Sequence, residues 1–288
     1  SPGAGFFSNF SFVLNHLKIA DKLGVIPVVD FKHFKTLYNE NNVINDTENA
    51  WEYYFEQVSS YNLKEVYSSK YILVTDSFWG KEMCFQVTRD PELYNIYKKY
   101  IKIKKDIITE FEWFIKDNYQ GEKILGCHFR GQEMKTARRH PLPPTKKQIC
   151  FKIDKLLEYE KYTKIFLSTE CLSYYEYLKN RYGDKVIAIN SYRSYKNAYS
   201  EFPRKSHRYY LGRDILIEAI LLSKADGLLC GDSNVSEIAA FMANKNNNYL
   251  YKIDNGINSS HWLVSKYLWF YKALVPPVIG GFKIDAKN

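Results

Sequence analysis

Short apolar runs alternate with helical segments in the second half of the chain, and this alternation limits the possible folds more than any other feature. The apolar runs have the length of buried strands, and the segments between them carry apolar residues at helical spacing. Helices that connect consecutive strands in this way produce a parallel sheet. The predicted strands are 124–128, 165–168, 186–189 and 227–230, and the predicted helices are 145–160, 172–182, a segment that follows Arg213, and 235–242.

The first half of the chain is less regular. We predict a helix that follows Asn9 and ends near Gly24, and then a strand over 25–31. A second strand is predicted over 71–74, and mostly helical structure over 91–119. A loop, a helix and a strand in this order are typical of the start of an α/β layer.

Three further segments have more than one interpretation. A cluster of aromatic residues within 51–55 is interpreted as core, and a sugar-binding platform is the alternative. The polar stretch 190–210 has the length of a functional loop. The aromatic helix 261–273 is expected to cross back to the first domain, and contact with a membrane surface is the alternative.

The composition is that of a globular protein. The chain has 288 residues, of which 45% are hydrophobic and 25% are charged, and this length is sufficient for two domains, predicted as 1–118 and 119–288. The net charge of +9 suits an anionic ligand, but the 41 Lys and Arg residues are scattered along the chain and form no basic arm. A nucleic-acid-binding protein is therefore disfavoured.

The cysteines indicate a reducing compartment. Five cysteines show no paired spacing, so neither a disulfide framework nor a zinc site is predicted. We find no apolar run of the length of a membrane span and no signal peptide. The expected location is the cytoplasm, with peripheral contact at the inner membrane as one alternative. A Golgi lumenal location is the other, if a targeting segment has been removed.

A cationic loop follows the first predicted strand of the second domain. His128, Arg130 and Glu133 come at the end of this strand, where parallel strands present functional groups. Three prolines within four residues stiffen the exit of the loop. The pattern indicates an anion site, and a charged surface loop is the alternative. The other basic residues of the loop are Lys135, Arg138, Arg139 and His140.

A second candidate anion site follows the strand 227–230. Asn234, with Glu237 three residues later, matches the capping-box pattern of a helix start. Backbone N–H groups and the positive end of the helix dipole should therefore face the ligand edge of the sheet, where phosphate often binds. Thr169, at the end of another strand, is a candidate for nucleotide contact, with a simple helix cap as the alternative.

These residues resemble those of the GDP-fucose-dependent fucosyltransferases. The relevant branch includes the α1,6-fucosyltransferases that act on chitin oligosaccharides or N-glycan cores, and the protein O-fucosyltransferases. The segments occur in the order of the family and span almost the whole chain. They are Gly-Phe-Phe-Ser-Asn at 5–9, His-Phe-Arg-Gly-Gln-Glu at 128–133 with a later His-Pro, and Leu-Ser-Lys-Ala-Asp-Gly-Leu-Leu-Cys at 222–230 ahead of Ser-Asn-Val.

The resemblance implies a GT-B-like α/β fold in which two Rossmann-like domains face a cleft, the first on the acceptor side. It implies that Arg130 and Ser233 bind the diphosphate, and that Asp226 reads the guanine beside His128. The further candidates for the nucleotide-sugar site are Asn9, for which a plain helix cap is the alternative, Thr169, Arg213 and Asn234.

Two segments depart from the pattern of the family. After the histidine, the family often has Arg-Arg or Arg-x-Gly-Asp, whereas here Gly131 and Gln132 follow Arg130, and Glu133 occupies the acidic position. The loop before Ser233 is one residue shorter than in the α1,6 branch. The sugar and the acceptor therefore stay open, and a GDP-linked heptose or another deoxyhexose is an alternative donor.

The implied function is an inverting, metal-independent glycosyltransferase that moves fucose from GDP-fucose to a glycan acceptor. The sequence has no Asp-x-Asp motif, so Arg130 is expected to supply the fixed positive charge that a metal ion supplies elsewhere. Glu133 is the candidate catalytic base, and orientation of Arg130 is its alternative role. No cofactor is expected, and the partners are a nucleotide sugar and a glycan. A non-catalytic protein that binds a glycan or a nucleotide sugar is the alternative.

Overall fold

The structure is a computed structural model that describes residues 4–75, 86–245 and 249–284, without the side chain of Gln132. The chain divides into two units. The first contains residues 1–112 and 202–217, and the second contains residues 113–201 and 218–288. The sequence does not predict that 202–217 pack with the first unit. The helices are α1 (Phe6–Leu23), α2 (Leu63–Tyr67), α3 (Pro91–Tyr100), α4 (Lys105–Asn118), α5 (Lys146–Tyr159), α6 (Leu172–Tyr182), α7 (His207–Lys224), α8 (Asn234–Ala243) and α9 (Trp262–Leu274).

The second unit is built around a parallel sheet. Its strands are β1 (Ile124–His128), β2 (Lys164–Ser168), β3 (Val186–Ile187), β4 (Gly227–Cys230) and β5 (Leu250–Lys252). All pairs are parallel, and the strand order is β3-β2-β1-β4-β5. This is the order of a dinucleotide-binding fold, in which the direction of the connections reverses between β1 and β4. The predicted mixed α/β class with a parallel sheet is confirmed, and β5 is an addition to the predicted strands.

Local signals set the bounds of the helices. Thr145 Oγ1 accepts the backbone N–H of Gln148 at 3.2 Å, and the side chain of Gln148 accepts the backbone N–H of Thr145 at 2.9 Å, so a capping box starts α5. Gly24 ends α1 with a φ of 66°, a conformation that glycine adopts without strain. The predicted helix over this region is confirmed, but it starts at Phe6, so Asn9 lies inside it.

The predicted strands of the first unit do not form. Residues 25–31 and 71–74 are outside any strand, and no strand is assigned in the described part of this unit. Distant side chains occupy the backbone of 25–31 instead: Val29 donates to the side chain of Gln57 at 2.8 Å, and Phe31 donates to the side chain of Asn49 at 2.8 Å. Because side-chain amides replace a neighbouring strand there, an extended segment forms without a sheet.

Aromatic packing holds the first unit together. The cluster within 51–55 is buried, which confirms its interpretation as core, and the rings of Trp51 and Phe55 stack at 4.4 Å between centroids. The hydroxyl of Tyr54 donates to the carbonyl of Tyr209 at 3.0 Å. A Cβ on Gly212 would lie 2.3 Å from that hydroxyl, so a glycine is required at this contact. These contacts explain why 202–217 belong to the first unit.

The described cysteines are core residues. Cys127, Cys150, Cys171 and Cys230 are buried and form no disulfide with one another, and Cys84 lies outside the described residues. Burial raises the pKa of the Cys230 thiol to about 12, so this thiol stays protonated at neutral pH.

Among the residues that the structure describes, no group of three or more His, Cys, Asp or Glu side chains is arranged to hold a metal ion. None of the described helices combines the length and the apolarity that crossing a bilayer requires.

Candidate functional site

The carboxyl ends of β1 and β4 bring two predicted site residues together. His128 is the last residue of β1 and is buried. Ser233 follows β4 across a short loop, and its Oγ lies 3.1 Å from Nδ1 of His128. Ligands of open parallel sheets bind where the strand order reverses, which here is this β1/β4 edge.

Ser233 is the N-cap of α8. Its hydroxyl oxygen accepts the backbone N–H of Ser236 at 3.2 Å. The predicted cap at Asn234 is wrong by one residue, because Asn234 is already the first residue of the helix. The correction keeps the predicted chemistry: the first-turn N–H groups and the positive end of the α8 dipole belong to the same edge as His128.

The imidazole of His128 is neutral. Burial, and secondarily the positive charge of Arg130, lower its pKa to about 3. The Ser233 hydroxyl lies 3.1 Å from Nδ1, and the donor in this hydrogen bond depends on the tautomer of the ring. If the hydroxyl donates to Nδ1, the ring proton lies on Nε2. His128 then offers an N–H donor to a ligand at this edge.

Arg130 and Glu133 lie on the loop that follows β1. Arg130 is half-buried, and its positive charge acts on both His128 and Glu133. Glu133 is an exposed residue, yet the partial removal of its carboxyl from water and the negative charge of Glu170 raise its pKa, against the opposing effect of Arg130. Gly131 holds Glu170 in place, since its backbone N–H donates to Glu170 Oε1 at 3.1 Å. A carboxylate with a raised pKa is a better base than an ion-paired one.

Asp226 lies at the opposite end of the same strands. It directly precedes β4, and its carboxylate accepts the backbone N–H of Ile124, the first residue of β1, at 2.8 Å. His128 is four residues further along β1, which corresponds to about 13 Å of strand. The structure therefore does not bring Asp226 and His128 together, and the predicted role of Asp226 as the guanine carboxylate is corrected to that of a cap on the amino edge of the sheet.

A buried carboxylate that the sequence analysis missed lies at the carboxyl edge. Glu218, in α7, accepts hydrogen bonds from the hydroxyls of Ser168 at 2.7 Å and Ser191 at 2.9 Å. Ser168 is the last residue of β2. The signal in the sequence is a single acidic residue within the apolar run 215–222, since such a residue is seldom buried without a purpose.

Arg193 accompanies Glu218. Its side chain is buried, its Nη2 lies 3.9 Å from Oε1 of Glu218, and its guanidinium lies 4.5 Å from the ring centroid of Tyr175. Among the described residues, its Nε has no hydrogen-bond partner. An unpaired buried donor costs about 1–3 kcal/mol of free energy, and a ligand that offers an acceptor to this N–H would remove that cost.

Thr169 is occupied by its own loop. Its hydroxyl donates to the carbonyl of Phe129 at 2.7 Å and accepts the backbone N–H of Cys171 at 3.2 Å. This supports the structural alternative, although the residue fixes a turn and not a helix cap. Its neighbour Ser168 contacts Glu218 and is therefore the more direct contributor from this strand.

Asn9 and Arg213 belong to the first unit. The side-chain amide of Asn9 is buried and donates to the carbonyls of Ala4 at 3.1 Å and Gly5 at 3.3 Å. The guanidinium of Arg213 forms an ion pair with Glu110. Both side chains thus have partners within the first unit, and their roles in the nucleotide-sugar site stay predictions.

The first unit contains a large cavity. Its volume is about 1850 Å³, and it is lined by α1 and by residues from 25–37 and 61–75. Most of the lining is apolar. Its polar side chains include a group in which the carboxylate of Asp30 accepts the Tyr67 hydroxyl at 2.7 Å and lies 2.7 Å from Nδ1 of His33. The hydrogen bond to Asp30, followed by partial burial and the negative charge of Asp30, raises the pKa of Tyr67 to about 12, so the phenol stays protonated.

Comparison with known proteins adds a likeness in fold. No family model and no curated protein matches the sequence significantly. The NodZ α-1,6-fucosyltransferase co-crystallised with GDP aligns over 80% of this chain and 88% of its own, with a TM-score of 0.52 and 18% identity. Fucosyltransferase NodZ from Bradyrhizobium aligns over 80% and 89%, with a TM-score of 0.52 and 17% identity. NodZ soaked with GDP-fucose aligns over 81% and 89%, with a TM-score of 0.51 and 15% identity.

The chain has the fold of these fucosyltransferases and a polar site at the carboxyl edge of its sheet. The chain shares the mixed α/β fold of these fucosyltransferases, which confirms the resemblance at the level of fold. Its parallel sheet carries polar and charged side chains at the edge where such folds bind ligands.

Proposed function

We propose that this chain is an inverting, metal-independent glycosyltransferase that transfers fucose from GDP-fucose to a hydroxyl of a glycan acceptor. The observation that carries the proposal is the β1/β4 edge. There the N-cap of α8 is hydrogen-bonded to a buried neutral histidine, two residues before Arg130. The shared fold with GDP-bound and GDP-fucose-soaked NodZ supports the choice of donor.

The α8 start and Arg130 would bind the diphosphate. Free N–H groups of the first helical turn bind phosphate oxygens, and the dipole of a helix favours negative charge at this end. Nε2–H of His128 adds a donor. Arg130 adds a full positive charge, which gains strength where water is excluded.

Glu218 would read the guanine. Guanine presents N1–H and N2–H₂ donors side by side, and one carboxylate can accept from both. Glu218 is the buried carboxylate at the carboxyl edge, with Arg193 beside it as a further donor. A pyrimidine or an adenine lacks this pair of donors, so it would form fewer hydrogen bonds to the carboxylate than guanine does.

Glu133 would act as the base. In a single displacement, the acceptor hydroxyl oxygen forms a bond to the anomeric carbon as the bond from that carbon to the β-phosphate oxygen breaks. The hydroxyl proton passes to Glu133, and GDP leaves with the negative charge that Arg130 stabilises. The anomeric configuration inverts because attack and departure take place on opposite faces.

The acceptor would bind in the first unit. Its cavity of about 1850 Å³ is larger than a typical small-molecule pocket, which suits an extended glycan. The apolar lining suits the faces of sugar rings, and the Asp30–His33–Tyr67 group offers hydrogen bonds to their hydroxyls.

Metal independence is a separate part of the proposal, and no cofactor is included in it. The sequence has no Asp-x-Asp motif, and Arg130 with the α8 start offers fixed positive charge in its place. EDTA should therefore leave transfer nearly intact. Loss of turnover on chelation, with recovery on addition of Mn²⁺ or Mg²⁺, would overturn this part.

The test of the donor is thermal stabilisation by nucleotides. GDP should stabilise the protein more than UDP, CDP or ADP, and a ligand at 100 times its dissociation constant adds about 2.7 kcal/mol to the free energy of unfolding. Release of GDP from GDP-fucose in the presence of glycan acceptors then measures turnover. Equal stabilisation by all four nucleotides contradicts the guanine assignment, and binding without turnover favours a non-catalytic sugar-nucleotide-binding protein.

We also propose a cytoplasmic location. Four Asn-x-Ser/Thr sequons are present in the chain, and two of their asparagines, Asn9 and Asn258, are buried. The side chain of Asn258 donates to the carbonyls of Ala137 and Ser265 at 3.1 and 3.0 Å, so a glycan there would disrupt the fold. Fractionation of cells that express the protein tests the location.

A further inference from the structure

The outward side of α9 is apolar and exposed. At about 100° per residue, the exposed apolar residues of this side, which are named at the end of this paragraph, fall within one half of the helix circumference. The inward side packs on the second unit: Ser265 is buried, and Nε1 of Trp269 donates to the carbonyl of Pro143 at 2.8 Å. We call the outward side the aromatic face, and it consists of Trp262, Leu263, Tyr267, Phe270, Tyr271 and Leu274.

The apolar surface continues beyond the helix. The Tyr271 hydroxyl donates to the carbonyl of Ile279 at 3.1 Å, and the backbone N–H of Phe282 donates to the carbonyl of Lys272 at 2.9 Å. These bonds hold 276–282 against α9 and leave Val278 beside it with 91% exposure. Extended apolar surface of this kind marks a protein or membrane contact more often than a plain solvent face.

The charged residues of the segment that carries the aromatic face have one sign. No acidic residue occurs between 255 and 284, whereas this segment contains three lysines. One of them, Lys266, is exposed, and its Nζ lies 5.1 Å from the ring centroid of Trp262. Its partner should therefore carry negative charge as well as an apolar phase.

The cationic loop after β1 is fixed to the start of α9. The backbone N–H of Asn258 donates to the carbonyl of His140 at 2.8 Å, and that of Arg139 donates to the carbonyl of Ser259 at 3.4 Å. Arg138 and Arg139 are exposed. Two further positive charges are thus held near the amino-terminal end of the aromatic face.

We propose that the aromatic face docks on the surface of an anionic lipid bilayer. Tryptophan and tyrosine favour the boundary between headgroups and acyl chains, and lysine and arginine favour anionic headgroups. The face combines both, on a helix that packs along its other side and so lies flat on the membrane. This docking goes beyond the proposed function and does not rest on it.

The test is co-sedimentation of the full chain with vesicles. We expect binding to an equal mixture of phosphatidylcholine and phosphatidylglycerol, weak binding to phosphatidylcholine alone, and release by high salt. Absence of binding to the mixed vesicles, or equal binding to both compositions, would overturn the proposal. The midpoint of thermal unfolding, measured in parallel, should be nearly the same for every variant that follows, which shows that the fold is intact.

Matched variants distinguish vesicle binding through the aromatic face from non-specific binding through other exposed aromatic residues. The double variant Trp262→Ser with Phe270→Ser should weaken vesicle binding by more than about tenfold. The control is Trp113→Ser with Tyr159→Ser, which removes two aromatics of the same unit that are at least as exposed. Trp113 is 60% and Tyr159 71% exposed, against 57% for Trp262 and 45% for Phe270. Equal loss in both variants would contradict docking through α9.

Charge is tested in the same way. Lys266→Ala should weaken binding by about fivefold, whereas Lys185→Ala, an exposed lysine outside α9, should have little effect at the same net charge. Light scattering identifies the competing occupant. A dimer that Trp262→Ser with Phe270→Ser converts to a monomer, without any vesicle binding by the parent protein, would assign the face to a second copy of the chain.

Discussion

The two ends of the central strands carry carboxylates with different partners. At the amino edge, Asp226 accepts a backbone N–H at the start of β1 and is exposed. At the carboxyl edge, Glu218 is buried and accepts the hydroxyls of Ser168 and Ser191. Asp226 therefore stabilises the sheet, whereas Glu218 belongs to the edge that binds ligands. The position of a carboxylate relative to the strand ends decides its role more than its surrounding motif does.

The largest effect should come from Glu133→Gln. This change keeps the shape and removes the charge, so loss of a base should lower turnover by about 10²–10⁴-fold while GDP affinity stays the same. Steady-state kinetics with GDP-fucose measure it, with Asp226→Asn as the amino-edge control that keeps turnover. If turnover survives in Glu133→Gln, the acceptor is activated elsewhere. If GDP affinity falls as well, Glu133 positions Arg130.

Arg130→Ala should have the next largest effect. Removal of a charge that acts mainly in the transition state lowers kcat by about 10²–10³-fold. Arg138→Ala, an exposed arginine further along the same loop, is the control and should leave kcat nearly unchanged. A change confined to KM would make Arg130 a binding residue and weaken the contrast between the two edges in catalysis.

Glu218→Gln tests the comparison directly. It should weaken GDP binding by about 1–3 kcal/mol, because one guanine donor loses its acceptor and the amide adds an unmatched donor. Asp226→Asn should bind GDP like the parent protein. Isothermal titration of both variants measures the difference. Weaker binding in Asp226→Asn and not in Glu218→Gln would reverse our assignment of the two edges.

The smallest effect concerns the stability of the protein in acid, where the low pKa of His128 should lower the free energy of unfolding. At neutral pH this effect is absent. His128 has a folded pKa of about 3, below its usual 6.5, so below pH 6.5 the unfolded chain binds a proton that the folded chain excludes. The free energy of unfolding should therefore fall as the pH falls from about 6.5 toward 3. Denaturant titrations across this range measure the slope. His128→Asn should reduce the slope, and an identical slope in that variant would show that another group is responsible.

The regular elements of the second unit are predictable from the sequence. The strands β1 and β4 and the helix α6 have the predicted bounds, because each buried apolar run is closed by glycine or polar residues that fix its ends. The segment 25–31 has the same local pattern and forms no strand. Its backbone partners are Asn49 and Gln57, which lie far along the chain and leave no trace in local periodicity.

The site is only partly predictable. His128 ends β1 and Ser233 follows β4 after a short loop, so their place at the carboxyl edge can be inferred from element order alone. Asp226 directly precedes β4, and the same rule assigns it to the amino edge, which the resemblance to the family obscured. The place of Glu218 in the site cannot be predicted from local sequence, because its hydrogen-bond partners come from β2 and from the polar stretch 190–210.

The path of α7 limits how the protein can be cut into fragments. This helix begins in the first unit and ends in the second, so the second unit is discontinuous in sequence. A fragment that starts at residue 119 would retain 202–217 but lose the groups these residues bind, including the Leu37 carbonyl that accepts Arg208 at 2.7 Å and the Tyr54 hydroxyl that donates to Tyr209. The part of α7 that belongs to the first unit would then expose apolar side chains, which favours aggregation. Limited proteolysis should accordingly not release 119–288 as a stable product, and a stable fragment of the second unit requires a designed bridge in place of 202–217.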